Sequence, residues 1–156
     1  MPETDSDTTP ISPILVVDDN PAAAAAAAAT LVAAGLPARC DIDCEAALRF
    51  VRAERVRVLV SEIYVPCSEG PCVVAVLKGD RHRLPRLRVL VHSRHTRPED
   101  IEYAFANGAD AFVPQNAPDE VLLREIRRLT ALDDQSTGGP GGRAGGRTTG
   151  DSGSTP

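Results

Sequence analysis

Short apolar runs that end in a polar residue constrain the fold of this chain most. Asp18 and Asp19 follow the run ILVV, Glu62 follows VLVS, and Ser93 follows VLVH. Continuously apolar runs of this length are typical of parallel strands that are buried on both faces. The carboxyl ends of such strands meet at one crevice of an open sheet, where ligands bind. Three carboxylates and a hydroxyl gathered there predict a site for a hard cation or a phosphate group.

Strand and helix patterns alternate along the rest of the chain. We expect strands over residues 14–19, 38–42, 56–62, 87–93 and 110–114. We expect helices from Pro21 to a stop at Gly35, over 44–54, over 71–78, from Pro98 to a stop at Gly108, and over 119–132. The fourth helix is expected to turn Ile101, Ala104 and Phe105 inward. This alternation implies an α/β fold with a parallel sheet and helices on both of its faces.

Composition limits the size of the domain and the classes of partner. We predict one domain over residues 12–132, a disordered lead over 1–11, and a disordered Gly/Ser/Thr-rich tail over 133–156 that lacks apolar anchors. The net charge of −5 argues against direct nucleic-acid binding. No apolar run approaches ~20 residues, and the acidic start lacks the pattern of a secretory signal. We therefore expect a cytoplasmic protein that does not bind membranes.

The cysteines, Cys40, Cys44, Cys67 and Cys72, have spacings that match no standard zinc pattern. The first two lie near the second strand and the second helix, and the other two lie near the third helix. Nothing in the sequence draws the two pairs together. We therefore expect reduced, independent thiols rather than a metal site or a disulfide.

The same motifs occur, in order and in spacing, in a known family. The segments VVDDN, EIYVPCSEG, VHS and GADAFVPQNA resemble the receiver domain of bacterial two-component response regulators. The resemblance covers roughly residues 12–132. It implies a CheY-like, flavodoxin-like (βα)5 fold, doubly wound, with strand order 2-1-3-4-5. It also implies a role in phosphorelay signal transduction.

The resemblance assigns a cation site to the acidic residues. Asp18 and Asp19 match the acidic pair that holds Mg²⁺ in the family, together with the phosphate acceptor. The main-chain carbonyl two residues past the acceptor, here that of Tyr64, completes the family's ligand set. Glu62 stands where the family has the phosphate-receiving aspartate. Carboxylates with a carbonyl suit Mg²⁺, and we expect binding to be retained but weak.

Other positions of the family site are also changed. Gln115 replaces the lysine that pairs with the acceptor or its phosphate, and an amide supplies no positive charge. Ser93 matches the residue that hydrogen-bonds the phosphoryl group, and Phe112 occupies the aromatic switch position without a hydroxyl. Arg94 stands where the family is usually small and could cover the pocket. We hypothesise that Arg94 pairs with Glu62 or Asp19, the alternative being a side chain extended into solvent.

These features indicate a non-enzymatic, phosphorylation-independent receiver domain that acts by binding a partner protein. The family binds kinases, effectors or regulators through the fourth helix, fifth strand and fifth helix, and we expect the same face to serve here. A homodimer is left open. One alternative is a working receiver that accepts phosphate on Glu62 or another residue. The other is a flavodoxin-like ligand-binding or enzymatic domain that shares only the fold.

Overall fold

The computed structural model describes residues 14–142, with side chains to residue 131. Five parallel strands form one sheet in the order β2-β1-β3-β4-β5. The strands are β1 (Ile14–Val17), β2 (Ala38–Asp41), β3 (Val58–Ser61), β4 (Arg88–Ser93) and β5 (Ala111–Pro114). The predicted fold class and strand order are therefore confirmed.

Five α-helices connect and flank the strands. They are α1 (Pro21–Ala33), α2 (Cys44–Arg52), α3 (Val73–Lys78), α4 (Pro98–Ala106) and α5 (Asp119–Gly142), and a short 3-10 helix (Arg81–Arg83) precedes β4. Among the described residues, none of these helices is both long and apolar enough to cross a membrane.

The end predicted for α5, at residue 132, was wrong, because the helix continues to Gly142. Residues 133–137 contain neither glycine nor proline, so the end of the apolar pattern does not stop the helix. The predicted lead over 1–11 and the tail beyond residue 142 lie outside the described residues. The predicted domain limits remain a prediction.

Helix α1 forms because its alanines are strong helix formers and both ends are marked. The Asn20 side chain accepts hydrogen bonds from the main-chain N–H groups of Ala22 (3.0 Å) and Ala23 (3.3 Å). Pro21 occupies the first turn, where its missing N–H costs nothing. After the helix, Gly35 adopts φ +84°, a left-handed conformation that suits glycine. These signals fix where the chain turns back to form β2.

Two apolar layers cover the two faces of the sheet. Helices α1 and α5 pack on one face through Ala27, Leu31, Leu122, Ile126 and Leu129. Helices α2 and α3 pack on the other through Ala47, Leu48, Val51, Val73 and Leu77. The central strands β1, β3 and β4 are therefore held between helices, whereas the residues of the edge strand β2 are half-buried or exposed. The carboxyl ends of the strands form one edge of the domain.

Helix α4 differs in part from its prediction. Ala104 is buried and Ile101 is half-buried, whereas Phe105 is 48% exposed. The buried positions of α4 are Asp100 and Ala104, one turn apart. Phe105 lies about 100° further round the helix, so the inward placement predicted for it was wrong. Its ring is on the surface of the domain.

Candidate functional site

The strand register brings the predicted site residues to one edge. Val17 pairs with Ser61 across β1 and β3, so the next residues, Asp18 and Glu62, leave the two strands side by side. The Glu62 N–H donates to the Val17 carbonyl (3.0 Å) and extends the pairing by one step. Glu62 is only 2% exposed. The neighbouring Ser61 hydroxyl is also buried, but it donates to the Glu62 carbonyl (2.7 Å) rather than to the site.

Gln115 joins the two buried acids. Its Nε2 donates to Asp18 Oδ2 (3.0 Å) and to the His92 carbonyl (3.1 Å), and lies 3.5 Å from Glu62 Oε2. The Gln115 N–H donates to the Ser93 carbonyl (2.8 Å), which fixes the start of the loop after β5. The amide therefore reaches both carboxylates from the position that the resemblance assigns to a lysine. It supplies hydrogen bonds but no charge.

The Glu62 carboxylate is held from both sides. Its Oε1 accepts from the Ile63 N–H (2.6 Å), and its Oε2 accepts from the Arg94 N–H (3.3 Å). The Arg94 guanidinium, 55% exposed, approaches the same oxygen, with 3.7 Å between Nη1 and Oε2. The contact hypothesised between Arg94 and Glu62 is therefore present in the structure, at a distance of a loose ion pair.

The two acids that follow β1 have different surroundings. Asp18 is 3% exposed, and its Oδ1 accepts from the Asn20 N–H (2.9 Å). Burial raises the pKa of Asp18 above its usual value, and the nearby Glu62 and Asp19 carboxylates raise it further, against the hydrogen bonds from Asn20 and Gln115. Asp19 is exposed. Among residues 14–131, these three carboxylates do not form a group with ligand oxygens all within 4.8 Å of one another.

Ser93 and Phe112, the predicted switch positions, lie at the ends of the neighbouring strands. Ser93 is fully buried and its Oγ accepts from the His95 N–H (2.8 Å), within its own loop. Phe112 is half-buried and packs against a small apolar cluster that contains Ile63 and Ala104. Both residues therefore support the loops around Glu62.

One contact near the site was missed by the sequence reasoning. The Tyr64 hydroxyl donates to Asp100 Oδ1 (2.6 Å), which links the loop after β3 to the first turn of α4. This bond raises the pKa of Tyr64 to about 12 and holds the pKa of Asp100 below its usual value. The Tyr64 ring also lies edge-on to His95, at 5.1 Å between centroids. Asp100 lies in the first turn of the helix predicted to begin at Pro98, and no spacing rule indicates its partner.

Comparison with known proteins decides the family. The profile of the response regulator receiver domain matches residues 14–127, most of the described chain. The chain belongs to the receiver domain family. A transcriptional activator protein, ExaE of Pseudomonas putida, is 33% identical over 97 residues, which cover 62% of this chain. The chain spans 44% of the length of that relative.

Solved structures share the receiver fold. The receiver domain of NtrX from Brucella abortus is 25% identical, with a TM-score of 0.67, covering 76% of this chain and 98% of that one. NtrX from the same organism, solved with ADP, is 23% identical with a TM-score of 0.69, and the match covers 80% of this chain and 27% of NtrX. A CheY-like receiver domain from Methanospirillum hungatei is 18% identical with a TM-score of 0.68, covering 79% and 96%.

The cysteines of this receiver domain correct one prediction. Cys44, the first residue of α2, forms a disulfide with Cys67 in the loop between β3 and α3, whereas Cys40 and Cys72 are free. The expectation of four independent thiols was therefore wrong. Both residues follow carboxyl ends of strands on the same edge, and the loop after β3 folds toward α2. This common edge was the signal that could have indicated the pairing.

Proposed function

We propose that this receiver domain signals without phosphoryl transfer, by binding a partner protein in the cytoplasm. The observation that carries the proposal is the surroundings of Glu62. Its carboxylate occupies the acceptor position and lies in contact with Gln115 Nε2 and with the main chain and guanidinium of Arg94. A fixed negative charge with fixed partners supports one lasting conformation of the adjacent loops.

The chemistry of the site argues against efficient phosphorylation. Phosphoryl transfer depends on in-line positioning and on cations that stabilise the developing charge. Glutamate displaces the carboxylate by one methylene, and Gln115 supplies no charge. Arg94 is long enough to cover the mouth of the crevice. The Ser93 hydroxyl accepts a hydrogen bond from the His95 N–H, within its own loop.

The donor set fits Mg²⁺ in its chemistry. Asp18, Asp19 and Glu62 offer hard oxygen ligands, and burial already disfavours the charged form of Asp18. A bound cation would supply the positive charge that this cluster lacks. The exposed Asp19 must turn toward the other two acids before all three can ligate, and Gln115 already bonds Asp18. This cost supports weak binding, with the Tyr64 carbonyl as the fourth protein ligand.

The partner surface that we propose is the α4–β5–α5 face. The Tyr64–Asp100 hydrogen bond connects the loop after Glu62 to α4, so the conformation of the site bears directly on that helix. Phe105 provides an exposed aromatic ring on α4, of a kind enriched in protein interfaces. The class of partner that fits is a kinase, an effector or a regulator. A homodimer would pair through the same face.

Intact mass spectrometry after incubation with a small phosphodonor and Mg²⁺ tests the proposal. We expect no adduct on the natural chain and little on Glu62→Asp, because Gln115 still lacks charge. The double variant Glu62→Asp with Gln115→Lys should label and serves as the positive control. A phosphoryl adduct on the natural chain that maps to Glu62 would overturn the proposal and favour the working receiver.

A ligand screen separates the proposal from the remaining alternative. Melting temperatures are measured with nucleotides and common metabolites, using the natural chain. A flavodoxin-like ligand-binding domain should be stabilised by one of them through mass action. We expect no such stabilisation, and a reproducible rise with one compound would favour the ligand-binding alternative.

A further inference from the structure

Side chains at the start of α2 and in the loop between β3 and α3 form a group of potential metal ligands. Among the described residues, Cys44, Glu45 and Cys67 each offer one ligand atom, and these atoms all lie within 4.8 Å of one another. The disulfide joins Cys44 to Cys67, so the group can take up a cation only after that bond is reduced. The reduced group would offer two thiolates and a carboxylate, which are all anionic ligands.

Helix α2 places two of these ligands at its amino terminus. Cys44 is the first residue of the helix and Glu45 is the second. Asp43 caps the helix, because its side chain accepts from the Ala46 N–H (3.3 Å). The main-chain N–H groups of a first helical turn stabilise negative charge nearby, which favours a cysteine thiolate over the thiol. The thiolate is the form of cysteine that binds metals.

The Glu45 carboxylate is held beside the loop that carries Cys67. Its Oε2 accepts from the Ser68 N–H (2.9 Å) and from the Ser68 hydroxyl (2.7 Å). Because Ser68 directly follows Cys67, these two bonds keep the carboxylate close to the sulfur. A carboxylate has about four lone-pair sites on its two oxygens, so it can accept both bonds and still bind a cation. Hydrogen bonds of this kind orient the carboxylate ligands of metal sites.

The two sulfurs differ in their access to solvent. Cys44 is 1% exposed and belongs to the apolar layer beneath α2, whereas Cys67 is half-buried and packs against that layer. A reductant or a cation can therefore reach the group from the side of Cys67. The Cα atoms of the two cysteines are 5.4 Å apart. Two thiolates on a tetrahedral Zn²⁺, each bound at ~2.3 Å, lie about 3.8 Å from one another. Rotation of the less tightly packed Cys67 side chain can provide that separation.

Thiol–disulfide exchange with a small external thiol opens the group. The external thiolate attacks the accessible Sγ of Cys67 and forms a mixed disulfide there, while the bond to Cys44 breaks and its electron pair leaves on the Cys44 sulfur. A second external thiolate then attacks the external sulfur of the mixed disulfide and releases the Cys67 thiolate. Two external thiols have been oxidised to one disulfide, and the chain holds two reduced sulfurs.

We propose that Cys44, Glu45 and Cys67 form a site for a thiophilic divalent cation of the Zn²⁺ type when the disulfide is reduced. Zn²⁺ accepts thiolate sulfur and carboxylate oxygen, and a water molecule would complete a tetrahedral set. The cation would join α2 to the loop that follows Glu62, as the disulfide does in the oxidised chain. Oxidation and cation binding exclude each other, because both need the same two sulfurs. This inference does not depend on the proposed signalling role.

Titration of the full chain with Co²⁺, after reduction and removal of the reductant without oxygen, tests for the sulfur ligands. We expect a thiolate-to-cobalt charge-transfer band that saturates at one ion per chain and disappears when Zn²⁺ is added. This band distinguishes the site from the carboxylates of Asp18 and Glu62. The oxidised chain and Cys67→Ser should lack it, whereas Cys40→Ser, which replaces an exposed free thiol, should match the natural chain. No band in the reduced natural chain, or the same band in Cys67→Ser, would overturn the proposal.

Competition with a chromophoric chelator for Zn²⁺ tests the carboxylate. Glu45→Gln should weaken binding at least about tenfold. Glu69→Gln removes the same charge from an exposed carboxylate outside the group and should leave the affinity nearly unchanged. Equal affinity of Glu45→Gln and the natural chain, with native amide signals in both, would refute the three-ligand site.

The rate of reoxidation by a small disulfide tests the mutual exclusion. Saturating Zn²⁺ should slow the return of the Cys44–Cys67 bond at least about tenfold, because the thiolates are then held by the cation. An unchanged rate would mean that the cation does not engage both sulfurs, and the proposal would fail.

Discussion

The Cys44–Cys67 disulfide should contribute measurably to stability. It joins residues 23 positions apart and ties the start of α2 to the loop that follows Glu62. In the chain-entropy account, a disulfide that closes a loop of this length lowers the entropy of the unfolded chain and stabilises the folded domain by about 3 kcal/mol. For a domain of this size, a loss of that magnitude lowers the melting temperature by roughly 10 °C.

Helix α2 and the same loop are joined by other contacts that survive reduction. Glu45 Oε2 accepts from the Ser68 N–H (2.9 Å) and from its hydroxyl (2.7 Å). Arg52 donates to both carboxylate oxygens of Glu69, at 3.0 and 2.9 Å. We therefore expect the reduced domain to fold, but with a lower melting temperature.

Thermal unfolding with and without reductant, combined with thiol titration, provides the measurement. Two thiols should react in the unfolded, unreduced chain, those of Cys40 and Cys72, and the other two only after reduction. Cys67→Ser should melt like the reduced protein, because it removes the bridge at the half-buried partner. Cys40→Ser is the matched control, since it replaces an exposed free thiol. A melting temperature that ignores reductant, in a protein shown to be disulfide-bonded beforehand, would refute the reasoning.

Three further predictions concern the site. The melting temperature should rise with millimolar Mg²⁺, because a cation relieves the repulsion between the carboxylates. Asp19→Asn should reduce that rise. A melting temperature that does not change with Mg²⁺ between about pH 6 and 8 would contradict the cation site. A double-mutant cycle of Arg94→Ala and Glu62→Gln should give a coupling of no more than about 1 kcal/mol, and strictly additive effects would mean no coupling. The Tyr64–Asp100 bond raises the pKa of Tyr64 to about 12; its contribution is full below the unfolded value of about 10 and lost as the pH rises to about 12. Urea midpoints of the natural chain should therefore fall over that range more steeply than those of Tyr64→Phe, and parallel curves would count against it.

The fold was largely predictable because its signals are local. Continuously apolar runs indicate strands buried on both faces, and Asn20, Pro21 and Gly35 mark the ends of α1. The strand order came from the family resemblance, since apolar runs alone do not determine which strands pair. Phe105 was misplaced because α4 ends in four consecutive apolar residues, from Tyr103 to Ala106, and only packing decides which of them turn inward.

The site was predictable in its positions but less so in its contacts. Spacing placed Asp18, Glu62 and Gln115 at one edge, and that placement follows from the parallel register. The direction of each side chain depends on the conformation of the loops. The sequence therefore did not predict that the Gln115 amide contacts both Asp18 and Glu62. The Tyr64–Asp100 bond joins residues 36 positions apart and needs the packed α4 to be seen.

The carboxylate of Glu62 is part of an encoded side chain, whereas a phosphoryl group is added and removed. This difference has a consequence for how a signal would be timed. An acyl phosphate is made and hydrolysed, so a phosphorylated receiver reports the recent activity of its kinase. The Glu62 carboxylate belongs to the polypeptide and does not decay. Under the proposed function, the strength of the output therefore follows the number of molecules present. Synthesis and proteolysis, over minutes to generations, would then set the duration of the response.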